Sequence, residues 1–467
     1  MKADDIFDGV TDVRDDLIDG AREAPKQRKH PGKKRWLGAV AAVLAVAILG
    51  GVLLRPGGGM TVYAIAQAQY PSNLGRVELD ENPGRDRFLA ASTAQFLAGA
   101  GTDNRIYSPL NVYLALSMLA EITGGDSRGQ ILELLGEESV EALRGQAGDL
   151  WRANYRSGVT TSLLANSLWL RDGMTYSEKT LGILAKDHYA SSFSGQMGSE
   201  AYNQALRDWI NQQTHDLLKE QAGGLKLEPD TVMALVSTLY FNGEWQDSFS
   251  AQATWPKTFH APSGDVETDF MHRSFRDSFY WGENFTAAAL RYKQEGKLWL
   301  ILPSEGCSVD ELLQSGEAMD FLLAPKADQY DRQGSLIREG WTGQKETEIQ
   351  LSMPKFDVSS DLSLMEGLKA LGVTDVFDWT ISNFEPLGAS TGDSLCVGKI
   401  QHAARVKVDE EGTEAAAYTE IEINDEAAML PGDQAFLTLD RPFLFAVTLD
   451  SGLPLFVGVV NDPMKAS

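Results

Sequence analysis

An α+β fold is predicted by three observations. Helix-period apolar patterns dominate the first half of the chain, strand-like runs dominate the second, and the two do not alternate regularly. From Met60 to Ser467 no Pro-rich or Ser-rich break is long enough to separate domains, so one large domain is expected over 60–467.

The helical patterns run over Asp86–Leu97, over Leu110–Ile122 with Ser108-Pro109 at its head, over Ser127–Leu135 and over Ala201–Leu218. A serine followed by proline caps the start of a helix, because proline needs no donor in the first turn. Strand-like runs cover Thr161–Leu170, Val232–Phe241, Ala287–Arg291, Lys297–Leu302, Glu348–Phe356 and Phe443–Leu449.

Ahead of this domain, an uncharged apolar run extends from Leu37 to Leu54, bounded by Trp36 and Arg55. It meets the minimum of roughly 17 to 25 residues for a membrane span. Lys26, Arg28, Lys29, Lys33, Lys34 and Arg35 precede it, a bias that holds the N-terminus in the cytoplasm. The expectation is a cytoplasmic tail over 1–35, a signal-anchor helix over 36–54 and a Gly-rich stalk over 55–59, with the large domain outside a cell membrane crossed once. A cleaved signal, with Ala64-Ile65-Ala66 as a small-x-small site and a secreted product, is the alternative; the long leader favours the anchor. The acidic segment 1–25, with Ile6, Phe7, Val10, Val13, Leu17 and Ile18 interleaved, reads as an amphipathic tail or a merely solvating one.

The formal charge of −25 argues against nucleic acid as a partner, since a phosphate backbone demands a surplus of lysine and arginine. Cys307 and Cys396 allow one bridge at most, so core burial must hold the fold. His30, His188, His215, His260, His272 and His402 have no metal-ligand spacing, and neither a metal nor a cofactor is expected. No nucleophile elbow, phosphate loop or paired-cysteine motif occurs. Gly392-Asp393-Ser394-Leu395 spells an esterase block, but it lies late in the chain and lacks the histidine spacing that such enzymes need, so it reads as a turn.

The most informative segment is Glu410 to Asn424, a strand pattern placed where an exposed loop is expected. Thr413, Ala415, Ala417, Thr419, Ile421 and Ile423 form one alternate set, small residues first and branched apolar ones after. Glu414, Ala416, Tyr418, Glu420, Glu422 and Asn424 form the other. One face is fit for burial and the other for water. Gly412, at the head, is free to hinge.

Glu410-Glu411-Gly412-Thr413-Glu414-Ala415-Ala416-Ala417 resembles the reactive-loop hinge of inhibitory serpins. Asn104–Pro109, Ala165–Trp169, Leu239–Trp245, Met353–Phe356, Leu371–Phe377, Arg441–Phe445 and Leu455–Gly458 resemble further serpin motifs in serpin order, across roughly 60–467. Together with the N-terminal apolar run, the chain is similar to bacterial serpins that carry a membrane segment. The resemblance implies a large central mixed sheet, additional sheets and about eight or nine helices. It implies a monomeric suicide inhibitor, not an enzyme, whose loop is cut by a serine protease and inserted into the central sheet. Small residues at Thr413, Ala415 and Ala417 would enter first.

Counting along the family's loop from Glu410 places the cut at Glu426-Ala427, suiting a glutamate-specific protease. The loop is long, so Ala427-Ala428 or Met429-Leu430 remain alternatives, suiting elastase-like or subtilisin-like enzymes. Trp245 falls at the family's breach. Ser108, Asn111, Ser237 and His402 fall in its shutter, with a departure: Ser237 replaces the usual asparagine and Asn111 a serine, an exchange that would conserve donors and acceptors. A non-inhibitory serpin acting as a binding or chaperone-like module is the rival. Bulky, charged or proline residues on the inserting face would mark it, and none occurs from Thr413 to Ile423.

Overall fold

The computed structural model describes residues 62–72, 75, 77–324, 343–388, 395–398, 400–413 and 434–465. The expected tail, anchor and stalk, hinge residues Glu414, Ala415, Ala416 and Ala417, Ser394, and the candidate bonds at Glu426, Ala427, Ala428, Met429 and Leu430 lie outside them. Among the described residues, no helix is long and apolar enough to cross a membrane.

In chain order the helices are α1 (Pro83–Leu97), α2 (Pro109–Ile122), α3 (Gly125–Leu135), α4 (Val140–Asn154), α5 (Glu178–Asp187), α6 (Glu200–Gln213), α7 (Lys219–Gly223), α8 (Val309–Gln314), α9 (Glu317–Leu323) and α10 (Met365–Ala370). Ten among the described residues exceed the eight or nine expected, because one-turn pieces such as α7 and α10 leave little periodicity to read. Side-chain capping starts most of the longer ones: Asn82, Ser108, Ser139, Ser177 and Ser199 each accept an N–H of the first turn. The pattern expected to continue to Leu218 stops at Gln213. There His215 and Asp216 take left-handed backbone angles, φ 49° and 64°, which no helix accommodates.

The strands are β1 (Val62–Ala66), β2 (Arg105–Tyr107), β3 (Thr161–Arg171), β4 (Ala190–Gly195), β5 (Met233–Glu244), β6 (Thr254–Ala261), β7 (Gly264–Trp281), β8 (Phe285–Arg291), β9 (Lys297–Pro303), β10 (Gly343–Pro354), β11 (Phe356–Ser363), β12 (Gln401–Val408), β13 (Gly412–Thr413), β14 (Gln434–Thr438), β15 (Phe443–Thr448) and β16 (Pro454–Val460). The run expected over Glu348–Phe356 divides after Pro354, and the two parts enter different sheets. The first sheet has order β1-β4-β3-β5-β13-β12-β11 and is mixed, with β3 and β4 parallel. The second runs β14-β10-β7-β8-β9-β15-β16-β2, with β6 on β7.

Helix α2 is apolar apart from Asn111, Ser117 and Glu121 and is almost wholly buried, as expected of a helix enclosed on every side. It packs against β5 of the first sheet and β16 of the second. The opposite face of the first sheet is covered by α6, whose Tyr202, Leu206 and Ile210 pack with Trp169 and Phe193. Cys307 and Cys396 are both free.

Candidate functional site: hinge, breach and shutter

Among the described residues the first sheet is incomplete at its centre. Strand β5 pairs with β3 along Met233–Asn242, and β12 pairs with β11 along its whole length. Among the described residues β5 and β12 share no ladder; β13 alone joins them. Below β13, Met233, Leu235 and Val236 are only partly buried, although apolar. A cavity there is lined by Asn111, Leu235, Ser237, Leu364, Ile400 and His402. Among the described residues the sheet therefore has a slot, closed at one end by two residues.

Those two residues are Gly412 and Thr413. Gly412 faces Glu244, and Thr413 faces Gly243 on one side and Val408 on the other. A Cβ at residue 412 would stand 2.2 Å from the Gly243 carbonyl oxygen, so only glycine fits. Thr413 is buried, 1% exposed, and its Oγ1 lies 2.7 Å from the Tyr292 hydroxyl. Burial raises the Tyr292 pKa, which keeps the phenol neutral.

Trp245, directly after β5, holds the hinge from beside it. Its backbone N–H donates to the Glu411 carbonyl and its indole Nε1–H to the Asp409 carbonyl, both at 2.9 Å. The indole stacks on Tyr292 with ring centroids 5.0 Å apart and planes 9° from parallel. Phe249 N–H donates to the Glu410 carbonyl. The Glu410 carboxylate accepts from the Thr254 hydroxyl at 3.0 Å and lies 3.4 Å from Lys355 Nζ, which also meets Asp269. Partial burial works against the Lys355 charge, but the two carboxylates outweigh it and raise its pKa. Sequence reasoning named Trp245 and Glu410 as site residues but not Tyr292, Thr254 or Lys355. Lys355 had a signal in its Met-Pro-Lys-Phe motif; Tyr292 had none.

At the lower end of the slot, the structure brings together all four expected shutter residues. Ser108 Oγ accepts from Asn111 N–H as the α2 cap and donates to the Leu455 carbonyl at 2.6 Å. Ser108 N–H donates to His402 Nε2 at 3.1 Å, so the imidazole is an acceptor there and carries its proton on Nδ1. Asn111 Nδ2 donates to the Ser237 carbonyl at 3.1 Å, and the Ser237 hydroxyl lies between Asn111 Oδ1 and Asn166 Oδ1. Asn166, quoted only within a motif, is the member that sequence reasoning missed. If this network supports the sheet, Asn111→Ala and Ser237→Ala each lower the melting temperature and speed spontaneous loop insertion. Unchanged values in calorimetry and in a timed insertion assay would remove that role.

Burial lowers the His402 pKa to about 4, from an ordinary 6.5. Between those values the unfolded chain binds a proton that the folded chain refuses, so this residue's contribution to stability is present above 6.5 and is lost as pH falls toward 4. The full difference is about 3 kcal/mol. Thermal unfolding at pH 7 and pH 4.5 should show a smaller drop for His402→Gln than for the unaltered protein.

A domain-sized model, Serpin (serine protease inhibitor), matches residues 86–463, and the chain belongs to the serpin family, whose members are generally protease inhibitors. Among curated relatives, Serpin-ZXA of Oryza sativa subsp. japonica is 29% identical over 393 residues, covering 81% of this chain and 95% of the relative. Among solved structures, the thermophilic serpin tengpin in its native state is 24% identical with a TM-score of 0.74, covering 86% of this chain and all of tengpin. Tengpin in its latent state gives 22%, a TM-score of 0.66, and coverages of 82% and 99%.

Proposed function

We propose that this protein is an irreversible suicide-substrate inhibitor of serine proteases, acting by cleavage of the segment after Thr413 and insertion of its N-terminal part between β5 and β12. The observation that carries this reading is the register of β13. Each residue further along the loop would face one residue earlier on β5 and on β12. Continued without a break from Thr413, that register sets Ala415 opposite Phe241 and Val406, Ala417 opposite Leu239 and Ala404, and Thr419 opposite Ser237 and His402. Ile421 then falls opposite Leu235 and Ile400, beside the cavity, and Ile423 opposite Met233, where β5 begins. On that register the alternation of the loop would end where the slot ends.

Directly opposed residues share a face of the sheet, so the small and apolar set would enter the core with Leu239, Phe241, Ala404 and Val406, all buried. Glu414, Glu420 and Glu422 would point to the other face. If about ten residues pair, each gaining about 0.5 to 1.5 kcal/mol, insertion yields roughly 5 to 15 kcal/mol before packing. That rivals the stability of a domain, enough to drag an attached acyl-enzyme across the molecule and deform its active site.

The test is to mix the protein with glutamate-specific, elastase-like and subtilisin-like proteases, look for an SDS-resistant complex, and sequence the released C-terminal peptide. A peptide starting at Ala427 supports Glu426 as the residue before the cut; one starting at Ala428 or Leu430 moves the bond. Cleavage without a complex by all three enzymes would favour the binding-module alternative. The same reading places the inhibitor outside the cell, tethered through residues 36–54, on the support of the sequence pattern alone. Alkaline extraction of membranes would release it if that segment is cut away.

A further inference from the structure

The contacts at the shutter continue into a second anchor. Asn166, whose Oδ1 faces the Ser237 hydroxyl, donates from Nδ2 to the carbonyl of His188 at 3.0 Å. His188 ends α5, and its imidazole is gripped on both sides: Nε2 lies 3.3 Å from Glu121 Oε1, and Nδ1 lies 3.3 Å from Ser117 Oγ. Arg144 of α4 donates to both oxygens of the Glu121 carboxylate, at 2.6 and 3.0 Å. The His188 and Glu121 side chains are 1% and 3% exposed. Ser117 and Glu121 stand on α2, the helix whose first turn carries Asn111. A closed ring of polar contacts thus leaves α2 at Asn111, crosses Ser237 of β5 and Asn166 of β3, and returns to α2 through His188.

The turn that presents the His188 carbonyl is strained. Tyr189 has φ 51°, a left-handed angle that a side-chain-bearing residue rarely adopts unless its surroundings enforce it. Its ring packs on Trp151 with centroids 4.2 Å apart, while the adjoining imidazole is clamped to α2. The turn is therefore held at both of its residues.

Insertion requires β5, with β3 and β4, to part from β12 while α2 stays packed on the second sheet. We propose that His188 is a positioning residue for this step: its clamped ring fixes the carbonyl that orients Asn166, and the ring of contacts it closes opposes premature opening of the slot. The proposal rests on the insertion reading above.

The test uses the full chain. His188→Phe keeps the ring shape and removes both polar contacts, whereas His188→Gln retains a donor toward Glu121. Stored uncleaved, His188→Phe should lose complex-forming capacity about tenfold faster than the unaltered protein, the effect of one buried hydrogen bond. It should gain heat resistance at the same rate, with His188→Gln close to the unaltered protein. The Phe change combined with Asn166→Ala should be less than additive in this rate, because both break one chain of contacts. An unchanged rate for His188→Phe, or strict additivity, overturns the proposal. If His188→Phe does not fold, Glu121→Gln is put through the same cycle, where an unchanged rate or strict additivity again overturns it. Heat resistance needs no protease, so failure of inhibition by the unaltered protein counts against the function and not against His188.

Discussion

On the proposed insertion mechanism, Thr413→Arg is expected to convert inhibition into simple cleavage of the loop. Position 413 is already inside the sheet, 1% exposed between Gly243 and Val408, with its hydroxyl on Tyr292. A guanidinium there would lose water without gaining an anionic partner from the side chain that now bonds residue 413, which is a neutral phenol. Burying an unpaired charge costs several kcal/mol, so the arginine should leave the sheet in the uncleaved protein and the cost return when residue 413 must re-enter at the first step of insertion. A step slowed by about 3 kcal/mol yields roughly two orders of magnitude to the competing hydrolysis of the acyl-enzyme. The measurement is the number of inhibitor molecules consumed per protease inactivated, alongside the rate of loop cleavage. The first should rise steeply while the second stays near its original value. Unaltered inhibition by Thr413→Arg would sink the insertion mechanism.

Trp245→Ala carries the second large effect. The indole is fully buried, stacks on Tyr292 and donates to the Asp409 carbonyl. Its removal leaves a cavity beside the hinge and an unpaired carbonyl, and losses of about 3 to 5 kcal/mol are usual for a buried tryptophan. The loss should appear as an earlier first transition in urea unfolding. Tyr292 loses the surface that orients its hydroxyl toward Thr413, so hinge residues should also become more accessible to proteolysis. Trp245→Phe keeps a ring against Tyr292 and should recover most of the stability but not the bond to Asp409. Equal transition midpoints for the alanine variant and the unaltered protein would refute the anchoring role of Trp245.

Much of the site was legible because its signals are local. Alternation from Thr413 to Ile423 is a property of consecutive residues, and so are the Ser108-Pro109 cap and the apolar run of α2. The shutter residues could be nominated because motifs flank them. The partners of those residues were not legible. Tyr292 reaches Thr413, Lys355 reaches Glu410 and His188 reaches Asn166 across long sequence separations, and no pattern near Tyr292 announces its task. The early strands β1 and β2 also escaped notice. A buried strand of three residues such as β2 offers too few positions to display a period, and Ala64-Ile65-Ala66, read as a processing site, lies in β1 on the edge of the first sheet.

Residue order alone established the α+β class, the two-faced segment and the ladder of small residues at its head, because each follows from spacing along the backbone, and its motifs carried the resemblance to the family. The register was a matter of three-dimensional packing. Nothing in the spelling of Glu410–Asn424 says that Gly412 and Thr413 are already paired, or that Thr413 stands between Gly243 and Val408. Those facts depend on where β5 and β12 lie, and their positions are set by α2, by β3 and β11, and by the stack of Trp245 on Tyr292. The physical reason is that side-chain alternation is a local backbone property, whereas the width of a slot between two strands is the sum of distant contacts on either side of it.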